Sequence, residues 1–364
     1  ALADRLTGNS DVNLLAGGTG NDTLVGGGGA DVLTGGTGTD TADYSASGIA
    51  VTVSLQTGLG SGGEALGDTL TDIENLSGST GADSLIGDAG ANLLAGNAGA
   101  DTLVGGAGAD TLDGGAGSDT IDYISSDSGV TVNLGAGTGA GGDAENDVFI
   151  AIENVSGSAY ADSLTGSAAA NVIDGGAGAD TLEGGAGADT LIGGAGSDTA
   201  SYSASAAGVT VNLLTNSGTG GDAEGDSYLT IENLTGSGLS DALTGDTAAN
   251  RLDGGAGADT LVGGAGADTL VGGAGLDTAS YAGSIVGVTI DLASGVGTGG
   301  DAEADSLSGI ENILGGTADD RLTGDSGDNL IEGGGGDDIL RGTAGVDTLN
   351  GGAGNDTFIG DAAT

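Results

Sequence analysis

Residues 96–104, 105–113 and 114–122 read Gly-Asn-Ala-Gly-Ala-Asp-Thr-Leu-Val, Gly-Gly-Ala-Gly-Ala-Asp-Thr-Leu-Asp and Gly-Gly-Ala-Gly-Ser-Asp-Thr-Ile-Asp. In these three successive nonapeptides the sixth residue is Asp101, Asp110 or Asp119, and the eighth is Leu103, Leu112 or Ile121. Two looser steps precede them, with Asp83 and Asn92 at the acid position and Leu85 and Leu94 two residues later. A fixed stride with one apolar residue per step marks a solenoid, in which each repeat stacks on its neighbours, rather than a globule. The unit Gly-Gly-x-Gly-x-Asp-x-(Leu/Ile)-x recurs at residues 184–192 and 263–271.

A longer period contains the short one. Tyr44, Tyr123, Tyr202 and Tyr281 are spaced 79 residues apart, as are Glu74, Glu153, Glu232 and Glu311. The copies run over residues 1–79, 80–158, 159–237 and 238–316, with a partial fifth copy at 317–364, all expected to form one continuous solenoid. Each opens with five nonapeptide steps. The remainder starts at the Tyr and carries a β-branched run, Val51-Thr-Val, Val130-Thr-Val, Val209-Thr-Val or Val288-Thr-Ile, which reads as a strand. A Gly-rich acidic loop follows, at 141–147, 220–226 and 299–305, then an Ile-Glu-Asn strand beginning at Ile152, Ile231 or Ile310. Because Val130 lies nine residues beyond Ile121, this part reads as the same coil with one widened turn. Eight steps of nine plus a seven-residue loop fill the period, so the spacing predicts eight half-turns and a return of every copy to the same face.

Composition narrows the chemistry. The formal charge is −49, from 53 acids against Arg5, Arg251, Arg321 and Arg341, with no Lys. Nucleic-acid binding needs clustered cations and is excluded, and an anionic membrane repels such a chain. Two unit charges 4 Å apart repel by about 1 kcal/mol in water and about 4 kcal/mol at an effective dielectric of 20. A chain that stacks acids therefore stays unfolded or recruits cations, and low hydrophobicity with high charge is otherwise the signature of disorder. The nine-residue register of the apolar positions argues against a solvated coil. Without Cys or His there is neither a disulfide nor a soft metal site, which leaves oxygen ligands for a hard ion. Pro, Trp and Met are absent and aromatics make up 2%, so the core is expected to be thin ladders of Leu, Ile, Val and Ala, with negligible helix. No apolar run reaches membrane-spanning length and no signal-peptide pattern opens the chain. The start at Ala1, in mid-repeat and without Met, reads as a fragment or a processed segment of a longer array.

The nonapeptides resemble those of the repeats-in-toxin (RTX) family. The resemblance covers essentially the whole chain if the Val-Thr-Val segments are degenerate coils, and it is most specific in the nonapeptide blocks. It implies an all-β fold, a right-handed parallel β-roll solenoid with Ca2+ in the turns and the sixth-position Asp as side-chain ligand. It also implies type I secretion of an unfolded chain, hence an extracellular or cell-surface location. The family's export signal lies at the extreme C-terminus, whereas residues 355–364 still read as repeat or its cap.

With two nonapeptides per coil, residues 18 apart stack about 4.8 Å from each other. Calcium wants six to eight oxygens, which two carboxylates from adjacent coils and loop carbonyls left bare by glycine can supply. The candidate ligands are Asp4, Asn13, Asp22, Asp31 and Asp40 in the first block and Asp83, Asn92, Asp101, Asp110 and Asp119 in the second. Asp162, Asn171, Asp180, Asp189 and Asp198 follow in the third, and Asp241, Asn250, Asp259, Asp268 and Asp277 in the fourth. Asp320, Asn329, Asp338, Asp347 and Asp356 complete the set. Pairing each with its neighbour 18 residues on, as in Asp4/Asp22, Asn13/Asp31 and Asp22/Asp40, gives about fifteen calcium sites. The Asn-containing sites are expected to be weaker because an amide brings no charge. Asp143, Glu145 and Asp147 of the widened loop read equally as an extra site or as a charged surface.

Catalysis is not expected, because the acids recur as lattice points rather than as a unique cluster and neither His, Lys nor Cys is available. The four periodic Tyr residues read as stack or edge positions. Four near-identical copies favour a secreted structural protein, such as a stalk, surface-layer, fibre or adhesin segment that folds on binding calcium outside the cell. Open strand edges would allow end-to-end or lateral self-assembly. A calcium-dependent folding and secretion module of a larger enzyme or toxin is the alternative. A third reading, ice binding, rests on Thr102, Thr111, Thr120, Thr181, Thr190 and Thr199, expected to form outward rows.

Overall fold

The computed structural model describes residues 2–360. The end of the C-terminal stretch read as repeat or cap, residues 361–364, lies outside the described residues. The chain divides into two compact units, Ala1–Thr181 with Gly194–Gly196, and Leu182–Gly193 with Ser197–Thr364. The division falls within the nonapeptide block of the third copy.

Most nonapeptides contribute one three-residue strand centred on the eighth residue, whose apolar side chain turns inward because a strand sends alternate residues to opposite faces. In Ser84–Ile86, Leu93–Ala95, Thr102–Val104, Thr111–Asp113 and Thr120–Asp122 the central Leu85, Leu94, Leu103, Leu112 and Ile121 are completely buried (0% exposed). Successive strands fall in opposite sheets and pair in parallel with the strand 18 residues on: Ser84 with Thr102, Thr102 with Thr120, Leu93 with Thr111. Gly106 and Gly108 have φ of 86° and 146°, where an L side chain is strained. A Cβ on Gly117 would run into the carbonyl oxygen of Gly99 in the coil below, so the turn glycines are required by backbone stacking.

The widened part is not a loop inserted in a coil. In the first copy Thr52–Ser54 turns back antiparallel onto Leu59–Ser61, which pairs antiparallel with Thr69–Thr71. In the second, Thr131–Asn133, Thr138–Ala140 and Val148–Ile150 repeat the arrangement. The acidic segment closes a single 3-10 turn, Gly142–Ala144, over the fully buried Ala144. Ser126 holds that turn: its Oγ accepts the Asp143 N–H at 3.0 Å and donates to the Ser128 carbonyl at 2.8 Å. The strand expected at Ile-Glu-Asn starts at the Asn, as in Asn154–Ser156.

The half-turn count therefore differs from the expected eight. In the first unit one sheet carries Val32–Thr37, Thr69–Thr71, Leu59–Ser61, Thr52–Ser54, Ser84–Ile86, Thr102–Val104, Thr120–Asp122 and Asn154–Ser156. The other carries Arg5–Thr7, Thr23–Val25, Thr41–Asp43, Asn75–Ser77, Leu93–Ala95, Thr111–Asp113, Val148–Ile150, Thr138–Ala140, Thr131–Asn133 and Ser163–Thr165. All three hairpin strands lie in one sheet and count as one half-turn. A copy thus makes seven half-turns, and the equivalent strands Arg5–Thr7, Ser84–Ile86 and Ser163–Thr165 alternate between sheets. Seven nine-residue steps leave sixteen residues for the hairpin, not seven for a loop.

The second unit is built the same way. Thr210–Asn212, Ala242–Thr244, Thr260–Val262, Thr278–Ser280 and Asn312–Leu314 share one parallel sheet. Arg251–Gly257, Thr269–Gly275 and Ser306–Ser308 belong to the other, which the hairpin of Val296–Thr298 and Thr289–Asp291 extends towards Arg321–Thr323. Both units are parallel β-rolls. The helical residues among those described are four single 3-10 turns, Gly63–Ala65, Gly142–Ala144, Gly221–Ala223 and Gly300–Ala302, and no described helix is long and apolar enough to cross a membrane. The Tyr residues are not edge positions: Tyr44, Tyr123, Tyr202 and Tyr281 are 1–2% exposed beside the hairpins.

Candidate metal centres in the turns

The strand that carries the eighth-position apolar residue of each nonapeptide is entered from a turn whose last residue is the sixth-position Asp or Asn, and stacking of the coils brings these residues into columns. The backbone N–H of Asp4 donates to Asp22 Oδ1 at 2.8 Å, and that of Asp22 to Asp40 Oδ1 at 2.7 Å. The same bond joins Asn13 to Asp31, Asp83 to Asp101, Asn92 to Asp110, Asp101 to Asp119 and Asp162 to Asp180. In the second unit it joins Asp241 to Asp259, Asn250 to Asp268, Asp259 to Asp277, Asp320 to Asp338, Asn329 to Asp347 and Asp338 to Asp356. The 18-residue pairs read from the sequence are thus in contact within each unit.

One carboxylate oxygen is taken by that bond and the other is left over. Oδ2 of Asp22, Asp31, Asp40, Asp101, Asp110, Asp119, Asp259, Asp268, Asp277 and Asp338 is buried with no hydrogen-bond partner among the described residues. A buried, bare carboxylate oxygen is costly unless a proton or cation neutralises it. Burial accordingly raises Asp110 to about 7 and Asp101 and Asp259 to about 6. The space beside these oxygens is the one a first-position glycine leaves free. A Cβ on Gly254 would lie 2.5 Å from Asp259 Oδ2 and 2.8 Å from the carbonyl oxygen of Gly272, one coil on. Carboxylate and carbonyl oxygens that approach each other across a bare glycine are the kind of donors a hard divalent cation takes. Among the described residues no three carboxylates converge on one point, so backbone carbonyls must complete any coordination shell. The ion pairs of Arg5 with Asp43 (3.0 Å) and Arg251 with Asp253 (2.9 Å) lie outside the columns.

Two sets of column members escape the nine-residue reading. Asp31, Asp110, Asp189 and Asp268 donate their N–H to Oδ1 of Asp68, Asp147, Asp226 and Asp305, each 37 residues on, at 2.8–2.9 Å. Asp40, Asp119, Asp198 and Asp277 donate to Oε2 of Glu74, Glu153, Glu232 and Glu311, each 34 residues on, at 2.7–2.9 Å. Both sets recur at the 79-residue period, the signal by which they could have been found. The three loop acids part company accordingly. Asp147 joins a column, Glu145 accepts the Gly141 N–H at 2.8 Å, and Asp143 is half-buried with its carboxyl raised by burial and by Asp127.

The Asn positions are also distinct. Asn92 Nδ2 donates to the Glu74 carbonyl at 2.7 Å, and Asn171, Asn250 and Asn329 donate in the same way to Glu153, Glu232 and Glu311 at 2.6–2.9 Å. In these turns an amide hydrogen meets the carbonyl oxygen directly.

Comparison with protein families matches the model described as RTX calcium-binding nonapeptide repeat at residues 7–42, 68–103, 96–123, 142–182, 165–200, 244–279, 305–340 and 332–363. A comparison with curated proteins returns no match. RTX repeats bind Ca2+ in their turns, and the repeats here are numerous enough for many such sites. The matched segments span more than half of the sequence and coincide with the stacked turns, and the chain therefore belongs to the RTX calcium-binding nonapeptide repeat family.

Proposed function

We propose that the chain is a secreted, non-catalytic structural element, a stalk, surface-layer, fibre or adhesin segment, exported by type I secretion and folded by calcium at its destination. The observation that carries this reading is the set of buried Asp Oδ2 atoms without a partner in a chain with 53 acids and four bases. No internal counter-charge of that size exists, so the columns need an external one. The turns that would hold calcium are those of Asp22, Asp31, Asp40, Asp101, Asp110, Asp119, Asp259, Asp268, Asp277 and Asp338, with the carbonyls of the next coil's turn. A bound ion supplies positive charge between the coils. The carboxylates fix its position, and the glycines keep the carbonyls within reach.

At tenfold excess over Kd each site adds about 1.4 kcal/mol. Extracellular modules have Kd values of roughly 10⁻⁴–10⁻³ M, so millimolar calcium fills the sites outside cells and leaves them empty in the cytosol. That difference suits export of a chain whose calcium turns are still open. A structural role is supported by repetition of one unit throughout the described residues. The Thr rows are short: Thr102 pairs with Thr120, and the next position is Asn154, which does not favour an extended ice-binding face.

Circular dichroism, small-angle scattering and electron microscopy of the protein in chelator and in millimolar calcium test the reading. Calcium should convert an expanded chain into compact β structure seen as rods, fibres or arrays. Equal compactness after exhaustive chelation would overturn it.

A further inference from the structure

The partnerless oxygens are confined to part of each copy. In the first, second and fourth copies they occupy three consecutive turns, Asp22, Asp31 and Asp40; Asp101, Asp110 and Asp119; Asp259, Asp268 and Asp277; and in the partial fifth copy they include Asp338. Inside the hairpin-containing segments, by contrast, the Asp and Asn column positions meet donors of the chain itself. The hydroxyls of Tyr44, Tyr123, Tyr202 and Tyr281 donate to Oδ2 of Asp68, Asp147, Asp226 and Asp305 at 2.7–3.1 Å. These tyrosines are almost fully buried, so water does not compete for the bond. Ser158 donates its N–H to Asp162 Oδ2 at 2.6 Å and its Oγ–H to Oδ1 at 2.9 Å, and Ser237 does the same for Asp241. Ser79 holds Asp83 in this way in the second copy. The Asn turns are closed by the amide-to-carbonyl bonds described above.

The positions with their own donors are contiguous, and their strands pair with one another. Between Tyr44 and Ala95, Thr52 pairs with Ser84 and Asn75 with Leu93, one pair in each sheet. Between Tyr123 and Asp174, Thr131 pairs with Ser163 and Asn154 with Val172. The segments 202–253 and 281–332 repeat the pattern through Thr210 with Ala242, Asn233 with Arg251, Thr289 with Arg321 and Asn312 with Leu330. Each segment thus contains its own hairpin, a piece of both sheets, and apolar residues such as Val51, Val53, Ala65, Leu76, Leu85 and Leu94 to fill them.

We propose that calcium is confined to the turns whose Asp Oδ2 lacks a chain donor, and that the segments 44–95, 123–174, 202–253 and 281–332 are metal-independent nodes that stay folded when calcium is removed. This rests on the calcium reading above and deepens it. In the nodes the Tyr hydroxyl, the Ser hydroxyl with its amide (in the node at 281–332 the Gly316 N–H alone, 2.7 Å from Asp320 Oδ2), and the Asn amide do the work of the cation. In calcium the nodes act as folded seeds between which the nonapeptide turns zip up. Tyr123 and its equivalents are positioning residues, acting on Asp147 and through it on the Asp110 turn.

Hydrogen exchange read by mass spectrometry on the full chain, in chelator and in millimolar calcium, tests the proposal. In chelator, amides of 131–165 should exchange on the order of tenfold or more slowly than those of 96–122, and calcium should protect both. Tyr123→Phe keeps the ring and removes only the hydroxyl. It should abolish protection of its own node in chelator and spare the node at 281–332, and saturating calcium should restore protection of 131–165. Equally fast exchange of nodes and turns in chelator, with calcium restoring both, overturns the nodes and leaves the calcium reading standing. Protection in Tyr123→Phe equal to that of the parent in chelator overturns the role of the hydroxyl. No effect of calcium on any segment overturns both this inference and the reading beneath it.

Discussion

The backbone N–H of Asp110 donates to Oδ1 of Asp147 over 2.8 Å, joining two residues 37 positions apart. The same Asp147 accepts the Tyr123 hydroxyl on Oδ2 at 2.8 Å, so one carboxylate ties a nonapeptide turn to the hairpin and the hairpin to the core. Asp147→Ala removes both acceptors and leaves a buried N–H and a buried hydroxyl unpaired. Each costs about 1–3 kcal/mol. The variant should need several-fold more calcium to fold, read as the midpoint of a circular dichroism titration.

Acid should partly replace calcium. Burial holds Asp110 at about 7 and Asp101 and Asp259 at about 6, against an ordinary value of 3.8, so the folded, metal-free chain binds protons more tightly than the unfolded one. The stabilisation this brings is complete below about pH 4 and is lost as pH rises through 6 to 7. In chelator, β structure should therefore increase as pH falls from 7.5 to about 4. In calcium the same protons compete with the ion, and the folding midpoint should move to higher calcium below about pH 6. Invariance of both curves with pH would contradict the burial of these carboxyls.

The first-position glycines should tolerate no side chain. Gly254→Ala places a methyl group 2.5 Å from Asp259 Oδ2 and 2.8 Å from the Gly272 carbonyl, against two oxygens assigned to the cation. Overpacking of this kind costs about 1–3 kcal/mol. The variant should also lose bound calcium, counted by isothermal titration. Gly283→Ala is the control: a Cβ there meets nothing within 4 Å, and stability should change by no more than about 0.5 kcal/mol.

Asn92→Asp should convert a closed turn into a calcium-dependent one. The carboxylate lacks the N–H that bonds the Glu74 carbonyl at 2.7 Å and sets two acceptors face to face. Stability in chelator should fall by about 1–3 kcal/mol. In calcium the loss should be recovered, with additional ion bound in the titration.

The nonapeptide coils and their 18-residue contacts were legible because each strand has one apolar residue and each turn one acid, so spacing alone sets the register. The hairpin was not. Val130 follows Ile121 at the distance of another step, but Thr131 pairs with Ser163, a choice of partner that no local spacing encodes. Reading one more half-turn there gives an even count and leaves seven residues for a loop where the hairpin takes sixteen. Glu74 and its equivalents were passed over as column members because the pattern called for Asp at nine. The longer Glu side chain reaches the Asp40 N–H from a strand entered after the hairpin. The Tyr residues looked like stack or edge positions because nothing near them in sequence shows that Asp68, 24 residues on, meets the Tyr44 hydroxyl inside the core.

The odd number of half-turns decides how these repeats can be read from outside. Within the first unit the hairpin at Thr52–Ser54 and Leu59–Ser61 belongs to one sheet and that at Thr131–Asn133 and Thr138–Ala140 to the other, and the second unit divides its own two hairpins likewise. Within each unit the two equivalent hairpins thus belong to opposite sheets. Blocking one sheet face of a unit therefore leaves one hairpin of its pair accessible on the other.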